Sequence, residues 1–370
     1  MMKIQSMTLH HLSMPLVSPF ETSFGRATHR ECIVVEVLSG GLTGWGECPA
    51  DADPGYSYET VGTALHILRE FILPLVAGRE LADPAAYRDI VSHIRGHPMA
   101  KSGLEMALWD LQGKREGRSL KRMLGGARGT VAVGVSVGLQ SDPAALVDTV
   151  AGYTAGGYRR VKLKIKPGRD VGDVRAVRAA FPDLKLQVDA NSAYVLDGGA
   201  DPWNAESLMP LDDLGLLLIE QPLAEDDLWD HHKLQQRFKT PICLDESIAS
   251  PRDARQALEM EACRVINIKQ SRVGGLVNAV EIHDHCRDRG VPVWCGGMLE
   301  TGIGRAANLA LASLENFTLP GDISATDRYY ERDITFERFI LNPDSTIDVP
   351  DRPGLGVEVD REALKACTVG

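Results

Sequence analysis

Positive charge is in deficit along this chain: 40 lysines and arginines stand against 51 aspartates and glutamates, a formal net charge of −11 with a pI near 5.4. Nucleic acid and anionic membrane surfaces both call for the opposite balance, so neither is an expected partner, and a small molecule is. No apolar run approaches the length of a bilayer span, and the first residues, MMKIQSMTLHHLSMPL, hold no apolar signal segment; the expected compartment is the cytoplasm. The seven cysteines, Cys32, Cys48, Cys243, Cys263, Cys286, Cys295 and Cys367, are odd in number, scattered and free of CxxC spacing. That excludes a disulfide frame and a zinc-thiolate site, and predicts buried thiols. No Pro/Ser-rich linker divides the chain, and its 44% hydrophobic and 25% charged content is that of a globular protein.

Two other chemistries find no support. ETGIGRAAN, Glu300 to Asn308, lacks the third glycine of a dinucleotide loop and no strand with a terminal acid follows; an anion-binding helix start remains open to it. The ten histidines, His10-His11 and His231-His232 included, share no metal spacing with the acids and are expected at the surface.

At 370 residues the chain exceeds the usual size of one core, which predicts a large domain and a smaller one. From about Thr130 a beat sets in: TVAVGVSVG, YRRVKLKI, LKLQVDAN, GLLLIEQP, PICLDES, RVINIKQ, PVWCGG and FTLPGDIS, each followed by a helical stretch. Their starts recur at the spacing of a strand, loop and helix, and eight in succession predict a (β/α)8 barrel over residues 127–321. SPRDARQALEMEAC opens on N-cap Ser250 with Pro251 at the first helical position, and GGLVNAVEIHDHCRDRG has helical apolar spacing. Residues 1–126 differ in kind: two strands around Gly40-Gly41, then helices, predict an α+β capping domain to which residues 322–370 return. The cleft between cap and barrel is the expected ligand site.

Barrel active sites lie at the C-terminal strand ends. Those ends carry Lys162 and Lys164, Asp189 and Asn191, Glu220, Asp245 and Glu246, and Lys269. One acid alone is more often a helix cap or a surface pair, but Asp189, Glu220 and Asp245 occupy matching places on three adjacent strands. Three converging carboxylates repel unless a cation lies between them, and an all-oxygen set selects Mg²⁺, Mn²⁺ or another hard divalent ion. In an eight-stranded ring strand 6 stands across from strand 2, so Lys269 faces Lys162 and Lys164 over the carboxylates. Two amines about one carboxylate substrate suit removal of an α-proton through a stabilised enediolate. Lys164, nearer the strand end, is the expected base or acid, and Lys162 the cation that depresses its pKa. Arg272 is placed to tune Lys269 in the same way, or to form a salt bridge at a helix start. In VKLKIKPG the apolar residues should face the helices and the lysines the barrel, with Lys166 beyond the interior.

The ordered set SPFETSFG, AKSGLEMALWDLQGK, VKLKIKPG, VDAN, IEQPL, LDESI, NIKQSRVGG and WCGGMLETGIGRAANLALAS resembles the enolase superfamily, muconate-lactonizing-enzyme subgroup. Within it the chain is similar to the o-succinylbenzoate synthase / N-succinylamino acid racemase family. The resemblance implies a (β/α)7β modified barrel under a cap, metal ligands Asp189, Glu220 and Asp245, a K-x-K pair at Lys162 and Lys164 and an opposing Lys269. It implies racemisation of N-succinylamino or other N-acylamino acids, syn-dehydration of a cyclohexadiene carboxylate to o-succinylbenzoate, or both, and a homo-oligomer. It also suggests substrate contacts at Phe20, Phe24, Ser136, Asn191, Gly297 and Met298; for Met298 and the phenylalanines, packing is an equal alternative. Dipeptide epimerases carry Asp-x-Asp near strand 8, where this chain has Asp322-Ile323-Ser324, and a muconate-type cycloisomerase would use the same metal and lysines. A non-catalytic binding protein would have lost one of these groups, and none is lost.

Overall fold

The computed structural model describes residues 1–196 and 204–369. A three-stranded antiparallel sheet, Ser6–Glu21, Arg26–Ser39 and Leu42–Cys48, leads the chain. Its second turn is the expected Gly40-Gly41, both at positive φ (59° and 79°), as a two-residue hairpin requires. The run CIVVEV is almost wholly apolar because both faces of this strand are covered. Ile33, Val35 and Val37 pack with Leu104, Ala107 and Leu108 of helix Pro98–Glu116, whereas Cys32 and Val34 join the barrel core. Pairing of the first two strands is irregular between Pro15 and Phe20. Beyond that point the hairpin tip reaches the barrel, Ser23 donating to Asn191 O at 3.4 Å.

Seven parallel strands pair in chain order: Val135–Val137, Arg160–Lys164, Lys185–Asp189, Ile219–Glu220, Ile242–Leu244, Val265–Ile268 and Val293–Cys295. Helices lie between them as the sequence beat predicts, among them Pro143–Ala155, Val171–Ala180 and Pro251–Glu259. Ser250 caps the last of these, its hydroxyl accepting from Asp253 N. The eighth expected strand, FTLPGDIS, is corrected: among the described residues it forms only single bridges, Phe317 to Val293 and Gly321 to Val133. Pro320 has no N–H to give a ladder, so the ring closes instead through Gly321 N to Ala132 O (3.0 Å), Gly134 N to Gly321 O (2.8 Å) and Asp322 N to Cys295 O (2.9 Å). The first expected strand is also shorter than its apolar run. Thr130–Ala132 leaves to pair antiparallel with Thr346–Asp348. At Gly134, between the two pieces, a Cβ would lie 2.4 Å from Arg160 Nε.

The barrel interior is layered. Leu218, Cys243, Val265 and Trp294 fill the lower part with an apolar plug, and polar residues take over above them. Strand Arg160–Lys164 inverts the usual rule: Val161, Leu163 and Ile165 face the helices within the main core, and Arg160 and Lys162 are buried in the interior. Lys166, beyond the strand, is half-buried.

Three glutamates cap helices to which they are not adjacent. Glu59 accepts from Met99 N and Ala100 N at the start of Pro98–Glu116. Glu105, on that helix, accepts from Val277 N (3.0 Å) at the start of Leu276–Asp288. Glu47, on the sheet, accepts from Thr301 N, Thr301 Oγ1 (2.6 Å) and Gly304 N (2.9 Å) at the start of Gly302–Ala312. Burial pushes each carboxyl up to about 7. Because Glu47, with Asp333 on Gly302 N, already occupies the ETGIGRAAN helix start, that start has no room for a substrate anion.

The surface placement of the histidines also needs correction. His231 is fully buried, Nε2 accepting from Leu223 N (3.3 Å) and Nδ1 2.7 Å from Asp227 O, and burial pulls its pKa down to about 4. His283 is buried as well. Spacing could not reveal this, since an imidazole is tolerated inside once both nitrogens find partners. The cysteines are buried except Cys367, which is half-buried. Among the described residues no helix is long and apolar enough to cross a membrane.

Candidate active site

The carboxyl ends of the strands open into a cavity of about 340 Å³ between barrel and cap. Lys162, Lys164 and Lys269 line it, and so do Phe20, Phe24, Ser136, Asn191, Gly297 and Met298, all the contacts expected from the sequence. Asp189, Glu220 and Asp245 lie beneath, fully buried, with Glu220 in register with Asp189 on the neighbouring strand.

Each carboxylate is turned onto a cation. Lys162 Nζ lies 2.9 Å from Asp189, 2.8 Å from Glu220 and 2.7 Å from Asp322, while Lys164 Nζ reaches the same Asp189 oxygen at 2.6 Å and Asn191 Oδ1 at 2.6 Å. Across the barrel Lys269 Nζ is 2.8 Å from Asp245 and 2.9 Å from the Tyr56 hydroxyl. Arg272 pairs with the other oxygen of Asp245 and donates to Ile248 O (2.8 Å) and Asn267 O (2.6 Å). With the side chains so disposed, no three His, Cys, Asp or Glu residues among those described gather as a metal-holding group.

The two lysines of K-x-K are driven apart electrostatically. Burial opposes the Lys162 ammonium, but Asp189, Asp322 and Glu220 outweigh it and hold its pKa well above the ordinary value. For Lys164 burial prevails: the pull of Asp189 is partly cancelled by Lys162, and its pKa is lowered. This is the asymmetry expected of an amine tuned by its neighbour. Lys269 is raised, since Tyr56 and the acids Glu220 and Glu246 outweigh burial and the repulsion of Lys162. Arg272 and Lys269 share Asp245, each pairing with a different oxygen of its carboxylate. Burial and the charge of Asp189 push Glu220 up to about 7.

Several groups of the site escaped the strand-end reading. Tyr56 comes from the cap, and no local pattern marks it. Asp322 closes the ring and joins Lys162 to the buried Arg160, which it meets at 2.5 Å. The signal for Arg160 was present, since it continues the Lys162 and Lys164 stripe by one more alternation. Trp294 lies under Lys162, 5.0 Å from Nζ to the ring centre.

The sequence matches two family models that between them take in most of the chain: the mandelate racemase / muconate lactonizing enzyme N-terminal domain over residues 4–125, and the enolase C-terminal domain-like family over residues 145–363. The chain belongs to the enolase superfamily. Enzymes of that superfamily use a divalent metal, typically Mg²⁺, with a lysine or histidine base. The o-succinylbenzoate synthase of Geobacillus kaustophilus is 51% identical over 366 residues, covering 99% of this chain and 96% of its own. The N-succinylamino acid racemase of an Amycolatopsis species is 48% identical over 368 residues, covering 99% and 98%. A crystal structure of an enolase-superfamily member from Listeria innocua superposes with a TM-score of 0.93 at 42% identity, covering 100% of this chain and 98% of the other. The barrel and the cap are therefore those of an enolase-superfamily enzyme.

Proposed function

We propose that this enzyme removes the α-proton of an N-acylamino acid, N-succinyl above all, and so racemises it, and that the same first step lets it dehydrate a cyclohexadiene carboxylate to o-succinylbenzoate. The observation that carries this reading is the placement of two buried amines, Lys164 on strand 2 and Lys269 on strand 6, on opposite sides of one cavity. A planar carbon held between them can lose a proton to one amine and gain one from the other, which inverts it. The names of the relatives at about half identity agree with both activities.

The residues fit a hard divalent ion. Asp189, Glu220 and Asp245 offer only oxygen, are fully buried on adjacent strands, and have beside them Glu246, whose Oε2 is buried without a partner. These three would be its ligands, and the ion would supply positive charge to the substrate carboxylate as the α-proton leaves. Lys164, with its lowered pKa, is the stronger candidate to take that proton, while the Lys162 ammonium stays charged among its three carboxylates. Lys269 is the acid that returns a proton in racemisation and a positive charge facing the substrate in dehydration. Phe20 and Phe24 line the cavity from the hairpin, where they would shield a bound substrate from water.

A dipeptide epimerase is less well supported. It would need an acid near strand 8 free to meet an ammonium, and Asp322 is committed to Lys162 and Arg160. The deciding experiment is ¹H NMR in D₂O with Mg²⁺, where the α-proton signal of N-succinyl amino acids should disappear from both enantiomers. If neither exchanges, the racemase reading fails; turnover of the synthase substrate, measured alongside, tests the other half.

A further inference from the structure

A second cavity, of about 330 Å³, lies on the seam between cap and barrel and shares no lining residue with the active one. Three cations on three helices line it: Arg88 on Pro84–Ile90 and Lys101 on Pro98–Glu116 from the cap, and Arg252 on Pro251–Glu259 from the barrel. Their counter-charge is incomplete. Arg252 is exposed and forms no ion pair or hydrogen bond among the described residues. Arg88 meets Glu281 at 3.0 Å in a pair exposed on both sides, which water and salt screen. Lys101 is half-buried and donates to Ile94 O; burial lowers its pKa, and Glu59, the charge that opposes this, is occupied by Met99 N and Ala100 N.

The two acids of the lining do not make up the difference. Glu105 is a carboxyl that burial pushes up to about 7, and it accepts from Val277 N and Trp109 Nε1. Asp253 accepts from Ala249 N (3.2 Å) and the Ser250 hydroxyl (2.9 Å) at the start of its own helix. A pocket with its acids so engaged recognises an anion, and cations presented from three elements suit one that carries more than one negative charge.

The same lining leads along the chain to the active site. Tyr58, in its wall, is two residues beyond Tyr56, whose hydroxyl meets Lys269. Val273, also in the wall, donates its N–H to Lys269 O at 3.1 Å. Tyr56 belongs to the cap and Lys269 to the barrel, so an anion held from both domains at this seam favours the arrangement in which the two meet.

We propose that this cavity is a second ligand site, for a small multivalent anion, phosphate or polycarboxylate, and that its occupation strengthens the contact of Tyr56 with Lys269.

The probes are inorganic phosphate and tricarballylate, titrated by calorimetry into the enzyme at a fixed free Mg²⁺ concentration. At least one should bind, and the one that does separates phosphate from carboxylate chemistry. Arg252→Ala should weaken that binding about 10-fold, the scale of one charge-assisted contact, whereas Lys164→Ala should leave it unchanged. The bound anion should raise kcat/KM for α-proton exchange about 5-fold, and in Arg252→Ala the rise should shrink while the rate without anion stays that of the wild type. Failure of both probes to bind at about 10 mM overturns the proposal. So does binding that persists in Arg252→Ala and is lost in Lys164→Ala, since the anion then lies among the lysines of the active site. Binding that depends on Arg252 but leaves kcat/KM unchanged overturns the link to Tyr56 and Lys269. Calorimetry needs no turnover, so failure of the racemase reading leaves the binding test in force.

Discussion

Tyr56 grips Lys269 in two ways: its hydroxyl stands 2.9 Å from Nζ, and the ammonium lies 4.4 Å from the centre of its ring. The same hydroxyl donates to Asp245 at 3.0 Å, so one residue of the cap links the strand-6 amine to a carboxylate of strand 5. Tyr56→Phe keeps the ring and removes the link. Loss of one such hydrogen bond should slow α-proton exchange about 10-fold for the enantiomer served by Lys269 and less for the other. Equal slowing of both would show that Tyr56 does not act through Lys269.

Lys164→Ala and Lys269→Ala should each stop exchange from opposite enantiomers, by about 10²-fold to 10⁴-fold, the usual range for a positioned acid or base. The readout is enantiomer-resolved NMR in D₂O. A variant that still exchanged both at the wild-type rate would sink the two-base assignment.

Chelator treatment should abolish turnover, and Mg²⁺ should raise the midpoint of thermal unfolding. An ion at about 100 times its Kd adds about 2.7 kcal/mol of stability. In Glu220→Gln that rise should shrink or vanish. A metal-induced rise of wild-type size in this variant would remove Glu220 from the ligand set.

Gly275 precedes the helix Leu276–Asp288 at φ +128°, and a Cβ there would lie 1.3 Å from Glu105 Oε2. Gly275→Ala should therefore lower stability by about 3 kcal/mol or more, since it strains the backbone and expels the capping carboxylate. Gly152, inside helix Pro143–Ala155 with nothing within 4 Å of where a Cβ would stand, is the contrast: Gly152→Ala should be neutral or stabilise by up to about 1 kcal/mol. Urea unfolding of the two variants measures the difference.

Glu105 also makes stability depend on pH. Burial raises its folded-state pKa from 4.5 to about 7, so the folded state binds the proton more tightly than the unfolded chain does. Its contribution is fully present below pH 4.5 and is lost as pH rises through about 7. Between pH 4.5 and 8 the wild type should lose up to about 3 kcal/mol relative to Glu105→Gln. Parallel curves for the two proteins would show that Glu105 does not titrate in this range.

The local alternation of strands and helices made the barrel legible, because each strand must bury one face against the helices and therefore announces its period in apolar residues. The same alternation oriented Lys162 and Lys164 and placed Asp189, Glu220, Asp245 and Lys269 at strand ends. It failed at FTLPGDIS, where Pro320 breaks the ladder and the apolar pattern survives without the hydrogen bonds. It failed also at the start of Gly302–Ala312, whose N–H groups are bound by Glu47, 254 residues away from Thr301. Sequence by itself determined which strand each of these residues stands on, since that depends on spacing along one element. Only the tertiary structure decided what each faces: Tyr56 beside Lys269, and Asp322 between Lys162 and Arg160. Those pairings join elements distant in the chain, and burial, which sets their charge, belongs to the assembled fold.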